Sequence, residues 1–155
     1  MSVSRALGLG AISGLRSLSG PAFVSRAASR GDLDLDRTVF AFLGSPRIFK
    51  ALVLMELGEL VGDKLSATPS RTSLPPLLGR AASGALAGAA IFVSEDRRAT
   101  IGAALGSTAA IAAGFAGERL RALTVEKTGL PDPVVALAED ATVLLIGLRS
   151  LRNVC

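Results

Sequence analysis

The chain has 155 residues, 50% of them hydrophobic, with 17 Lys and Arg against 13 Asp and Glu and a formal net charge of +4. It has no His, Trp or Tyr and a single Cys, the terminal Cys155, which excludes imidazole chemistry, an internal disulfide and a Cys-based zinc site. The length is that of one domain. The basic residues are scattered rather than run together with aromatics, so no nucleic-acid partner is expected.

Residues 1–30 combine Arg5, Arg16, Arg26 and Arg30 with many Ser and no acid, a composition similar to that of a presequence. The apolar run after Arg5, with Ala27 and Ala28 downstream, also resembles a signal peptide. Neither reading fits well, and Arg16 interrupts the run that a signal peptide needs unbroken. A retained first membrane helix over 6–24 is expected instead, with Ser13, Arg16, Ser17 and Gly20 along one face. In the connector 25–47, Gly31-Asp-Leu-Asp-Leu-Asp-Arg37 lacks the Gly and Glu of a calcium loop and reads as a solvated turn.

A second helix is expected over 48–65. It places Glu56, Glu59 and Asp63 within about 60° of one another, on a single face of an otherwise apolar helix. A proline-bounded linker follows, in which Lys64, Ser70, Arg71 and Thr72 offer donors to an anion or a lipid headgroup. The plainer reading of this linker is a helix stop followed by a helix start.

The third helix, 77–93, carries Arg80, Ser83, Gly84, Ala87 and Gly88 on one face. The fourth, 99–117, is a run of 19 uncharged residues, long enough to cross a bilayer. Its Gly102, Gly106, Ala110, Ala113 and Gly117 line one side, which lets a neighbouring backbone approach closely. The fifth, 132–148, opens on Leu130-Pro-Asp-Pro133 and bears Glu139 and Asp140 near its middle.

These segments predict an all-α polytopic transmembrane bundle of about five helices in a single domain, 1–155, with the lipid bilayer as its main partner. The fifth helix tests this by magnitude. Its eight Val, Leu and Ile residues favour insertion by about 4 kcal/mol, while each central acid opposes it by roughly 2.5 to 3.5. It would insert poorly alone. A soluble bundle fares worse, because the other helices lack charged outer faces. With five alternating spans, Arg16, Glu56, Glu59, Arg80, Glu139 and Asp140 lie within about 6 Å of the midplane and Asp63 about 9 Å away. Arg16 and Arg80 are thereby placed to pair with acids of the second and fifth helices, leaving an acidic surplus. Lys and Arg divide seven to nine between the two sides, too evenly to orient the protein.

Gly14-Leu-Arg-Ser-Leu-Ser-Gly-Pro21, Gly58-Glu-Leu-Val-Gly-Asp-Lys64 with Thr68-Pro-Ser-Arg-Thr72, Ser83-Gly-Ala-Leu-Ala-Gly88 and Ala136-Leu-Ala-Glu-Asp140 resemble the landmarks of a family of uncharacterised small bacterial integral membrane proteins, a domain of unknown function. The resemblance spans nearly the whole chain. It implies a multi-pass protein of the bacterial cytoplasmic membrane and brings no activity with it. More faintly, Glu59-Leu-Val-Gly-Asp-Lys-Leu65 is similar to the Glu-x-Gly-Asp-Lys motif of manganese and calcium exchangers, with one extra residue and Leu65 where a hydroxyl belongs.

Two functions compete. In the first, Glu59, Asp63, Glu139 and Asp140, tuned by Arg16 and Arg80, form a cation or proton pathway, since ionisable groups at membrane depth are functional candidates. In the second, the same groups are interhelical ion pairs of a non-catalytic assembly protein. The glycine face from Gly102 to Gly117, with Gly84 and Gly88, then packs helices or joins copies into a homo-oligomer. No enzyme, cofactor or resident metal is expected: Gly58-x-x-x-Gly62-Asp-Lys64 has the wrong spacing for a phosphate loop.

Overall fold

The computed structural model describes residues 2–62 and 74–151, the side chains of 60–62 and 132–133 excepted. Among the described residues the chain is all-helical, with six α-helices: α1 (Ser2–Leu15), α2 (Ser19–Ser29), α3 (Pro46–Gly62), α4 (Leu74–Val93), α5 (Ala99–Thr128) and α6 (Asp132–Leu151), and a 3-10 turn at Ala41–Gly44.

The expected first helix over 6–24 is two helices. Pro21 contributes to the break: it has no N–H and its ring would strike the carbonyl four residues back, which disfavours an unbroken helix from 17 to 21. Pro21 sits instead in the first turn of α2, where it is tolerated. The break at 16–18 is also a reversal. Along α6, Gly8 of α1 lies at Ser150 and Arg16 at Asp140, whereas Phe23 of α2 lies at Gly147. The two halves therefore follow the same stretch of α6 in opposite directions, and Gly20 rests beside Leu9 and Ser13. α1 and α2 form a helical hairpin with its tip at Arg16–Leu18.

This hairpin is the centre of the molecule. Leu9, Ile12 and Val24 are buried in one core with Ala87, Ala90, Ile91 and Phe92 of α4. α3, α4, α5 and α6 all pack against it. At one end of the bundle lie the start of α1, the α2–α3 connector, the α4–α5 turn and the close of α6; Arg5 Nη1 reaches Glu95 there at 2.9 Å, and Arg97 donates to Ser2 Oγ. In the connector Leu33 and Leu35 are buried while the alternating acids Asp32, Asp34 and Asp36 are exposed, as expected of a solvated turn.

The remaining boundaries shift for local reasons. α4 begins at Leu74 rather than 77, with Pro75 and Pro76 in its first turn. α5 runs to Thr128 instead of 117, because residues 118–128 contain good helix formers and no breaker before Gly129, whose φ of 64 closes the helix. Charge there ends an apolar stretch without ending a helix. α6 extends to Leu151, and the second helix is described to Gly62.

Two helices, α4 and α5, are long and apolar enough to cross a membrane. Beside an apolar core, buried charge and exposed large apolar side chains occur together. Arg16 and Arg80 are 4% and 2% exposed, while Leu137, Leu144 and Leu145 of α6 are 73%, 57% and 69% exposed. Leu54, Met55 and Leu57 of α3 and Ile101, Ile111 and Phe115 of α5 also face outwards.

Candidate functional site at the hairpin tip

Breaking a helix strands backbone groups: carbonyls at the end of α1 and amides at the start of α2. Inside a bundle these need protein partners. Arg80 of α4 supplies the first set, its Nη1 donating to Gly14 O at 2.5 Å and Leu15 O at 3.1 Å. Glu59 of α3 supplies the second, accepting from Ser17 N at 3.1 Å and from Ser17 Oγ at 2.8 Å. Arg80 Nη2 then joins the two by donating to Glu59 Oε1 at 3.2 Å. A cation lies at the negative end of one half-helix and an anion near the positive end of the other, so both dipoles are complemented.

Glu56, one turn before Glu59, accepts from Ser19 Oγ through Oε1. The Leu18 amide also faces this carboxylate. Its Oε2 is buried and has no hydrogen-bond partner among the described residues. On the other flank, Arg16 donates from Nε to Asp140 Oδ1 at 2.8 Å, with Nη2 at 2.6 Å from the same oxygen.

The expected sharing of Arg16 and Arg80 with acids of the second and fifth helical segments thus has definite partners, Asp140 and Glu59. Glu139 lies apart from them. It meets Arg121 at 3.7 Å and lines a separate cavity of about 310 Å³ between α5 and α6, with Leu15 and Gly117. Among the described residues, Glu56 is the acid at the tip that stands outside these ion pairs. Asp63, Lys64, Ser70, Arg71 and Thr72 lie outside the described residues. Among the described residues, no group of three or more carboxylates could hold a metal ion.

A cavity of about 280 Å³ opens beside the tip between α2, α3 and α6. Arg16, Asp140, Glu56 and Ser19 form its polar floor, and Phe23, Phe49, Val53 and Val143 are among its apolar walls. Glu59 does not line it. Glu56, Ser17 and Ser19 matter more than sequence reasoning allowed, and Pro21 was the legible signal. A proline 15 residues into an expected 19-residue helix marks where backbone groups need outside partners.

The glycines pack helices within the chain. Gly84 meets Gly106 and Gly88 meets Gly102 across the α4–α5 pair, while Gly10 of α1 reaches Gly106 and Gly14 reaches Ala110. Gly117 faces Leu15 and Glu139 instead. The face proposed for contact between copies is therefore filled by α1 and α4.

The fold and the tip define a class: an all-helical bundle built round a broken helical hairpin, with Arg16 and Arg80 buried at its tip and large apolar side chains exposed on α3, α5 and α6. The chain belongs to the family described as Domain of unknown function (DUF4126), which covers residues 3–152. No curated protein and no solved structure matches it.

Proposed function

We propose that this is a multi-pass protein of the bacterial cytoplasmic membrane in which α3, α4, α5 and α6 cross the bilayer and the α1–α2 hairpin enters from one side and returns to it. Exposed apolar side chains on α3, α5 and α6 support this, as does the burial of Arg16, Ser19 and Gly20 at the hairpin tip, since irregular backbone at membrane depth is tolerated only where protein or a water-filled cavity surrounds it. Reversing the chain at residue 18 also changes the charge count. Among the described residues, the end holding α1's start carries nine Lys and Arg, among them Arg5, Arg26, Arg30, Arg37, Arg97 and Arg98. The opposite end has three: Arg119, Arg121 and Lys127. That bias supports a cytoplasmic open end for the hairpin.

We infer that the tip is a transport-type site for a monovalent cation or proton, with Glu56 as its acceptor. The observation that carries this is Glu56, a carboxylate that lines a cavity beside a broken helix and whose buried Oε2 has no hydrogen-bond partner among the described residues. The pairs Arg80–Glu59 and Arg16–Asp140 hold the hairpin in shape, which absorbs the assembly reading for those four residues. The test is cation and proton flux into proteoliposomes. The parent carries flux and Glu56→Gln loses at least tenfold; a folded parent that moves no proton and no monovalent cation, inorganic or organic, removes the transport reading.

A further inference from the structure

We propose that the groove between α2, α3 and α6 seats one acyl chain of an anionic phospholipid from the cytoplasmic leaflet, with the phosphate held by Arg26 and Lys50. The site depends on the membrane placement of the helices and not on the cation reading of Glu56. Among the described residues, the backbone of α3 approaches α2 and the 3-10 turn but not α6. The cavity of about 280 Å³ is the gap this leaves, with α2 at its back and Leu57 and Leu144, both more than half exposed, at its rims. It therefore opens sideways at membrane depth, where hydrocarbon is the solvent. Its walls are carbon, from Phe23, Phe49, Val53 and Val143, while at the tip Arg16 is engaged with Asp140 and Ser19 with Glu56. The gap is also narrow. A helix is about 10 to 12 Å across with its side chains, so a 10 Å length of one displaces about 800 Å³ or more. A helix of a second copy does not fit, and a single alkyl chain does.

Charge decides the headgroup. On α2 the lining residues Ser19, Ala22 and Phe23 follow a stripe at spacings of three and four, and Arg26 is its next member and also lines the groove. On α3, Lys50 lies within about 20° of Leu57 around the helix axis, at the same rim. Both are exposed, and among the described residues neither is in an ion pair. Arg26 lies about 10 Å from Ser19, and Lys50 about 9 Å from Glu56, both towards the end that holds α1's start. With the tip near the midplane, their aliphatic stems extend to the headgroup level about 15 Å away. A guanidinium and an ammonium there match a phosphodiester. A bare phosphate would leave the carbon walls uncovered, and a zwitterionic lipid brings its own cation to the same place and gains less.

The experiment is photolabelling of the purified full chain in phosphatidylcholine nanodiscs, with phosphatidylglycerol or phosphatidylcholine carrying a diazirine on one acyl chain, followed by peptide mapping. The phosphatidylglycerol probe labels Val53, Val143 and Leu144 at least fivefold more than the phosphatidylcholine probe does. Arg26→Gln and Lys50→Gln each lower that labelling about fivefold. Leu57→Trp, which narrows the mouth, lowers it at least fivefold, while labelling of exposed Ile111 and Phe115 on α5 is unchanged in all three variants. Equal groove labelling by the two lipids, or groove labelling that none of the variants reduces, overturns the proposal. Displacement of the probe by glycerol 3-phosphate also overturns it, by assigning the basic pair to a soluble phosphate. Labelling confined to the outer face of α5 overturns the lipid site and leaves the membrane placement standing. No labelling by either lipid removes both.

Discussion

Replacing Arg80 with Gln tests how the hairpin is held. Arg80 is 2% exposed, and its guanidinium serves Gly14 O, Leu15 O and Glu59 together. Gln at this position is too short to span all three. The Glu59 carboxylate, whose side chain is 18% exposed, would then keep the Ser17 donors but lose its counter-charge. Breaking a buried pair by removing one partner destabilises by about 3 to 5 kcal/mol, mostly because the other charge stays behind. Interhelical hydrogen bonds in membranes contribute less, about 0.6 kcal/mol on average, so the two carbonyl contacts add about 1 kcal/mol. The expected loss for Arg80→Gln is therefore about 4 to 6 kcal/mol, read as a shifted midpoint of denaturant unfolding in mixed micelles. Adding Glu59→Gln removes the stranded charge and should recover most of the loss, leaving the carbonyl term of about 1 kcal/mol. A loss below about 1 kcal/mol in Arg80→Gln, or no recovery in the double variant, would refute the idea that this pair closes the broken helix.

Three other outcomes follow from the packing. Gly106→Leu drives a side chain into the Gly84 carbonyl and against the α4 backbone at Gly88, so α4 and α5 cannot keep their approach. Overpacking of this kind costs about 1 to 3 kcal/mol or more; unchanged stability by the same unfolding assay would contradict the close approach. Pro21→Ala removes buried ring atoms and should cost about 1 to 2 kcal/mol. It leaves the hairpin intact, since Arg80 and Glu59 still hold its ends, and impermeant labelling of a cysteine at residue 34 would show any change of side. Glu56→Gln keeps the Ser19 contact through its amide oxygen, so its stability stays within about 1 kcal/mol of the parent while flux falls.

Much of the architecture was legible in the sequence. Prolines at 46, 75, 76 and 133 mark helix starts because their missing N–H groups are harmless there. Glycines spaced by four along α4 and α5 forecast backbone contact, and similar depth forecast that Arg16 and Arg80 would meet acids of α3 and α6. The reversal at residues 16–18 was not read, because hydropathy over 6–24 sums to a plausible span whether or not the chain turns back. Side-of-membrane counts inherit that error, which is why Lys and Arg looked evenly divided. Glu59 and Glu56 also exchange importance for this reason. Which carboxylate satisfies the stranded amides and which faces the cavity depends on where the hairpin tip sits, and no helical periodicity encodes that. Gly102 and Gly106 marked a close-packing face correctly, but periodicity cannot tell a neighbour in the same chain from one in another copy.

The hairpin is the feature on which orientation, the Glu56 cavity and the paired arginines all depend, and sidedness tests it directly. In a Cys155→Ser background, single cysteines are placed at Ser4, before the hairpin, and at exposed Asp34, after it. Each is exposed to a membrane-impermeant maleimide in right-side-out and inside-out vesicles. A returning hairpin predicts that both react in inside-out vesicles alone. Reaction of Ser4→Cys and Asp34→Cys from opposite faces would mean that residues 2–29 cross the membrane, and would contradict the account.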